Sequence, residues 1–284
     1  MNYVAHFGLR EPPFGITPDT SFFFACRSIQ EALNTLLVAV ANGEGFIKIT
    51  GEVGTGKTLL CRKFLASLDE SYISAYIHNP NVEPGTLLIA ICEELGIRVE
   101  PSSDQHHFLK AITHALLESG ANAKRVVLCM AETQAMPLET LETLRLLTNL
   151  ETEKRKLLQV VLFGQPELDR KLAGDSIRQL RQRIMFQYDL KAFTPAEAAA
   201  YVGHRLTIAG YGGPPLFNPS ALKAIHRASG GIPRLMNILA HKSLLLLYGE
   251  GGQEVDKRHV RLAIEDTPAA VRPRTWWWPR RLAG

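Results

Sequence analysis

Hydrophobic positions along the chain fall into two alternating patterns. The runs "GFIKIT", "YISAYIH", "RVVLCM", "LLQVVLFG" and "IMFQYDL" are short and mostly apolar, as strands buried in a sheet are. Between them lie segments with apolar residues at three- and four-residue spacing: "SIQEALNTLLVAVANGEG", residues 57–68, "PGTLLIAICEELGI", "HFLKAITHALLESG" and "PLETLETLRLLTNLE". These predict helices. Strands alternating with helices predict a five-stranded parallel sheet covered on both faces. After Leu190 the pattern turns purely helical, through "TPAEAAAYVGHRLTIAG", "NPSALKAIHRASGG", "IPRLMNILAHKSLLLLYGEG" and "DKRHVRLAIED". Thr194 and Asn218 are good caps for the first two. Residues 1–25, rich in Pro, Gly and Phe, read as an irregular arm. The expected organisation is an arm (1–25), an α/β core (26–191), a small helical domain (192–268) and a Trp/Arg-rich tail (269–284).

One junction carries chemistry. "GEVGTGKT" fits G-x-x-x-x-G-K-[ST] and sits between an apolar strand and a helix, the context the motif needs. The segment Gly51, Glu52, Val53, Gly54, Thr55, Gly56, Lys57, Thr58 and Leu59 is therefore expected to cradle phosphates. Glycines let backbone N–H groups curl around phosphate oxygens, and the helix start adds partial positive charge. Lys57 would reach the β- and γ-phosphates, and the Thr58 hydroxyl would ligate Mg²⁺. ATP and Mg²⁺ are the implied cofactors.

Hydrolysis needs more. A second strand ending in carboxylates usually holds the metal side and orients water. "VVLCMAETQ" is the apolar strand that ends in an acid, so Glu132 is the candidate base; the residue before it is Ala131. "VVLFGQPEL" ends a strand on Gln165, at the sheet edge where ligands of open α/β sheets sit. The alternative for Gln165 is a plain strand-to-helix cap. "RQLRQRI" places Arg178, Arg181 and Arg183 before the fifth strand, where one guanidinium can complete a neighbouring subunit's site or merely decorate a basic helix. "GGIPRLMN" sets Arg234 in the first turn of a helix, against the helix dipole. That conflict suits a residue that serves a ligand phosphate.

The charge balance is modest: net +4 over 284 residues, with 21% charged. This argues against a dense nucleic-acid surface. Cys26, Cys61, Cys92 and Cys129 each lie in or beside an apolar segment and form no CxxC pair, as buried thiols of a reducing compartment do. The N-terminus lacks a signal-peptide pattern, and no apolar stretch is long enough to span a bilayer. A cytoplasmic location is expected.

Together these residues resemble the AAA+ superfamily and, more closely, the ATPases of the general secretion pathway protein A (ExeA) family, including its MSHA pilus-biogenesis members. The resemblance rests on "HFGLREPPFGITPD", "GEVGTGKT", "LRLLTNLETEKRKLLQVVLFGQPEL", "LRQRI" and "ASGGIPRLMNIL". It implies an α/β P-loop AAA+ core with a five-stranded parallel sheet and a small all-helical lid. It implies self-association through AAA+ interfaces, and work with pilus or secretion proteins at the inner membrane. It assigns Glu132 to the Walker B Glu, Gln165 to the sensor 1 region, Arg234 to sensor 2, and Arg183, with Arg181 behind it, to the arginine finger. The family's Walker B tip is D-E-A-Q; here it is A-E-T-Q. With Ala131 in the Asp position, the phosphate cradle is intact but the metal is less firmly placed. A loss of about 3 kcal/mol would slow turnover on the order of a hundredfold.

The tail "RPRTWWWPRRLAG" combines Trp276, Trp277 and Trp278 with four arginines, which suits anionic lipid or a partner-docking patch. Three function classes follow: a AAA+ ATPase of pilus or type II secretion assembly, a nucleotide-gated scaffold with little hydrolysis, and a DNA-acting AAA+ ATPase of the transposition-helper type.

Overall fold

A computed structural model describes residues 3–99, 104–150, 156–174 and 177–271. The chain divides into two compact units: residues 27–53 with 57–190, and residues 1–26 with 54–56 and 191–284. Most of the tail lies outside the described residues.

The first unit is the α/β sheet. Its strands are β1 (Phe46–Gly51), β2 (Tyr72–Ile77), β3 (Arg125–Met130), β4 (Leu158–Gly164) and β5 (Ile184–Leu190). They pair in the order β2-β3-β4-β1-β5, and every pairing is parallel. Helices α2 (Arg27–Ala41), α3 (Lys57–Leu65), α4 (Pro84–Glu94), α5 (Gln105–Ala121), α6 (Leu138–Leu147), α7 (Glu167–Leu172) and α8 (Arg178–Arg183) connect and flank them. β1 and β4 are buried along their whole length, as continuous apolar runs at the centre of a doubly covered sheet must be. β5, at one edge, alternates half-buried and exposed positions up to Met185, Gln187 and Asp189.

Two polar residues enter this core with partners. Lys48 of β1, 8% exposed, is paired to Asp169 of α7. Gln159 of β4 donates to the Val40 and Glu44 carbonyls at 3.0 and 3.1 Å. All four cysteines are free and buried.

Two helices are shorter than the apolar spacing suggests. α3 ends at Leu65 instead of residue 68. α6 ends at Leu147, where the Thr148 hydroxyl donates to the Arg145 carbonyl at 2.9 Å and Arg183 Nη1 donates to the same carbonyl at 3.2 Å. A distant cation thus satisfies a carbonyl in the last turn of the helix, which local spacing does not reveal.

In the other unit, α9 (Pro195–Ile208), α10 (Pro219–Ser229), α11 (Pro233–Glu250) and α12 (Lys257–Glu265) form the C-terminal bundle. Thr194 and Asn218 accept backbone N–H groups as N-caps, Thr194 in a full capping box with Glu197. The N-terminal arm, which is not wholly irregular but opens with the short helix α1 (Tyr3–His6), packs onto these helices. Tyr3, Leu9, Phe14 and Phe22 are buried. Arg205 of α9 is buried under the arm: Nε bonds the Pro13 carbonyl, and the guanidinium lies 4.4 Å from the Phe22 ring centroid. Asn237 Nδ2 donates to the Gly15 carbonyl at 3.1 Å. The segment set apart by its irregular composition is therefore held by the helices at the other end of the chain.

Candidate functional site

The site of the sheet unit stands at the carboxyl ends of β1, β3 and β4, neighbours in the sheet order. Ligands of open α/β sheets bind there because loops diverge from adjacent strands and leave a crevice. β1 delivers Gly51, β3 delivers Ala131 and Glu132, and β4 delivers Gln165.

The loop after β1 needs its glycines. Gly54 and Gly56 have φ of +84° and +100°, a region that side-chain-bearing residues avoid. A Cβ on Gly56 would meet nothing within 4 Å, so backbone conformation, not space, demands glycine there. α3 begins at Lys57, which turns its first N–H groups toward the loop. Lys57 is buried, and its Nζ donates to the Gly51 carbonyl at 2.7 Å and the Glu52 carbonyl at 3.0 Å. Burial lowers the pKa of its ammonium, and the charges of Glu132, Glu52 and Glu167 oppose that shift in part. The Thr58 hydroxyl, one residue on, is half-buried.

Glu132 follows β3 in a left-handed conformation, φ 52° and ψ 35°. Its Oε2 accepts two amide hydrogen bonds, from Gln134 Nε2 at 2.7 Å and Gln165 Nε2 at 3.1 Å. Burial pushes the Glu132 carboxyl up; the two amides and the charges of Lys57 and His78 outweigh it and hold the group below its ordinary value. A carboxylate in this state is ionised at neutral pH and fixed in direction, as a water-orienting base must be. Ala131 is 5% exposed, and its N–H donates to the Ile77 carbonyl at 2.9 Å.

Of the residues expected at the site, Lys57, Glu132 and Gln165 converge in this unit. Arg183 is half-buried and occupied at the end of α6, where Nη1 also reaches Thr148 Oγ1 at 3.4 Å. Arg178 and Arg181 are exposed on α8. Arg234, in the other unit, is exposed in the first turn of α11, and its backbone N–H donates to the Gly54 carbonyl at 3.2 Å. Three further contributors emerge: Gln134 through its hydrogen bond, and His78 and Glu167 through their fields on Glu132 and Lys57. Gln134 was within reach of sequence reasoning, since it closes the A-E-T-Q tip; nothing local marks His78 or Glu167.

The donor set fits a magnesium nucleotide. The cradle supplies backbone N–H groups and one ammonium, and Thr58 supplies one hydroxyl oxygen. Among the described residues no group of three His, Cys, Asp or Glu side chains is arranged to hold a metal by protein ligands alone.

This arrangement, a P-loop between β1 and a helix with an acid on β3, two strands away, defines an AAA+ nucleotide-binding fold. The sequence profile of the AAA domain matches residues 40–172. Solved structures share the fold: Cdc6p from Pyrobaculum aerophilum, 18% identical with a TM-score of 0.68, covering 87% of this chain and 70% of that one; and the Aeropyrum pernix ORC2 protein, 16% identical with a TM-score of 0.66, covering 90% and 73%. The RuvB Holliday junction branch migration motor of Thermotoga maritima is 16% identical with a TM-score of 0.60, covering 89% and 73%.

A curated relative makes the likeness more particular. The chain is homologous to general secretion pathway protein A of Aeromonas hydrophila, 40% identical over 274 residues, which is 96% of this chain. It spans about half the length of that relative, 50%. No helix among the described residues is long and apolar enough to cross a membrane.

Proposed function

We propose that the chain binds ATP with Mg²⁺ and hydrolyses it slowly, as a AAA+ ATPase that supports assembly of a general secretion or pilus apparatus at the cytoplasmic face of the inner membrane. The observation that carries this reading is the pairing of an intact phosphate cradle with an oriented Glu132 and no carboxylate at Ala131. Backbone N–H groups of residues 54–58 bind the phosphates. Lys57 leaves the Gly51 and Glu52 carbonyls and turns to the β- and γ-phosphate oxygens. Thr58 offers its hydroxyl to the metal. Glu132 orients the attacking water, and Gln165 keeps that carboxylate in place. Bound Mg²⁺ supplies charge neutralisation on the transferring phosphoryl group.

Completion of the site by a second copy of the chain belongs to the same reading. Arg183 is engaged within its own subunit, so the exposed Arg181 is the better donor of a guanidinium across an interface; Arg234 keeps the phosphate-serving role that its place in the first turn of α11 suggests. The secretion or pilus setting follows the name of the homologous protein. Anionic lipid is the proposed contact of the Trp/Arg tail.

The experiment is ATP affinity beside steady-state hydrolysis for the chain, for Ala131→Asp and for Lys57→Ala. Lys57→Ala abolishes binding. The unaltered chain binds ATP and turns over slowly, and Ala131→Asp raises the rate by on the order of a hundredfold. Equal turnover with and without the Asp refutes slow hydrolysis and leaves an ordinary motor. Binding with no turnover in either form favours the second reading, a nucleotide-gated scaffold.

A further inference from the structure

The turn after β3 is pinned in two ways that are separate from its Gln side chain. Thr133, fully buried, donates from Oγ1 to the Phe163 carbonyl of β4 at 3.1 Å. Lys171 of α7 donates from Nζ to the Gln134 and Met136 carbonyls, both at 2.6 Å. The Gln134 side chain does something else. Its Nε2 holds Glu132 Oε2 at 2.7 Å, and its Oε1 accepts the Gln165 N–H at 3.1 Å. Gln165 Nε2 closes the ring on the same carboxylate oxygen at 3.1 Å. One oxygen of Glu132 therefore has two amide donors, and Oε1 has no protein donor among the described residues.

We propose that Gln134 is a positioning residue: it clamps one oxygen of Glu132 between two amides, fixing the carboxylate's direction and leaving the other oxygen for water. This rests on the reading of Glu132 as the water-orienting base and deepens it. A left-handed residue at the end of a strand has its side-chain root turned away from the strand's regular direction. The carboxylate then needs an external hold, and a ring that ties β3 to β4 through side chains provides it. The charged groups acting on Glu132 are Lys57 of α3 and His78 just after β2; both are untouched when Gln134 is altered.

The test is a ¹³C carboxyl titration of the nucleotide-free protein, with the Glu132 signal identified by its loss in Glu132→Gln. Gln134→Met keeps length and volume but removes donor and acceptor. It should raise the Glu132 midpoint by about one pH unit, because hydrogen bonds to the charged form favour that form. Gln134→Glu keeps the shape and adds a like charge; it should raise the midpoint further. Thermal melting that matches the parent shows that the pinned turn survives in both. The acid limb of the hydrolysis profile should move in step. An unmoved Glu132 midpoint in both variants overturns the clamp. Absence of hydrolysis in the parent would instead remove the ATPase reading while leaving the titration result to stand by itself.

Discussion

Glu132 occupies a backbone conformation that costs energy, and the cost can be read by comparing two truncations. Its φ of 52° and ψ of 35° lie in the left-handed region, where a Cβ crowds the following carbonyl at about 1–2 kcal/mol. Glu132→Ala and Glu132→Gly remove the same carboxylate and the same two amide hydrogen bonds. They differ only in the Cβ. At an ordinary position Ala is the more stable by about 0.5–1 kcal/mol, since Gly loses more chain entropy on folding. Here the left-handed penalty opposes that term and reverses it, leaving Gly ahead by about 0.5–1 kcal/mol. In a unit of this size that is roughly 2–4 °C in melting temperature for each kcal/mol. Differential scanning calorimetry of the two variants measures it, with ATP binding retained and hydrolysis lost in both. A Glu132→Ala protein that melts at or above Glu132→Gly refutes the strain, and with it the claim that this backbone is held for the sake of the carboxylate.

Gly231 has a φ of +75°, and a Cβ there would stand 2.3 Å from the Phe193 carbonyl oxygen, so Gly231→Ala must displace backbone and weaken the 2.9 Å bond from Phe193 N–H to the Gly231 carbonyl. A loss of about 3 kcal/mol in urea unfolding of the helical unit is expected, and a loss below about 1 kcal/mol refutes the contact. Lys48 is buried against a half-exposed Asp169, so Asp169→Asn, which strands the ammonium, should destabilise by about 2 kcal/mol or more and exceed the cost of the joint change Lys48→Met with Asp169→Asn. Equal losses would mean the pair is indifferent. All four thiols are buried, so Ellman's reagent should find none reactive in the folded protein and four after denaturation; rapid labelling of any one before unfolding contradicts the packing.

The sheet was legible because strands buried on both faces must be apolar throughout, and that leaves runs such as "VVLCM" and "LLQVVLF" visible without any partner. Even Lys48 did not hide β1, since one long cation with an acid waiting on α7 fits a buried strand. Helix ends were less legible. α6 stops at Leu147, where the Arg145 carbonyl takes bonds from Thr148 and from Arg183, 36 positions after the helix end; no window around "LLTNLE" contains the second partner. The arm was the least legible. Its prolines and glycines hide a short helix at Tyr3–His6 and a 3-10 turn at Thr20–Phe22, and its attachment to α9 and α11 depends on Arg205 and Asn237, residues with ordinary helix-surface identities in the sequence.

Binding and catalysis separate cleanly in this site, and the separation explains why a P-loop can persist beside Ala131. The phosphate cradle is made of backbone, two left-handed glycines and one buried lysine, and each depends on the geometry of β1 and α3. The carboxylate proposed as the base depends on β3 and β4, through a strained residue held by Gln134 and Gln165. Were hydrolysis of no use, the left-handed Glu132 would cost stability with nothing gained, and a relaxed backbone would serve a pure binder better. On the proposed reading, it is the two-amide hold on Glu132, together with its left-handed backbone, that favours chemistry over a scaffold that only binds.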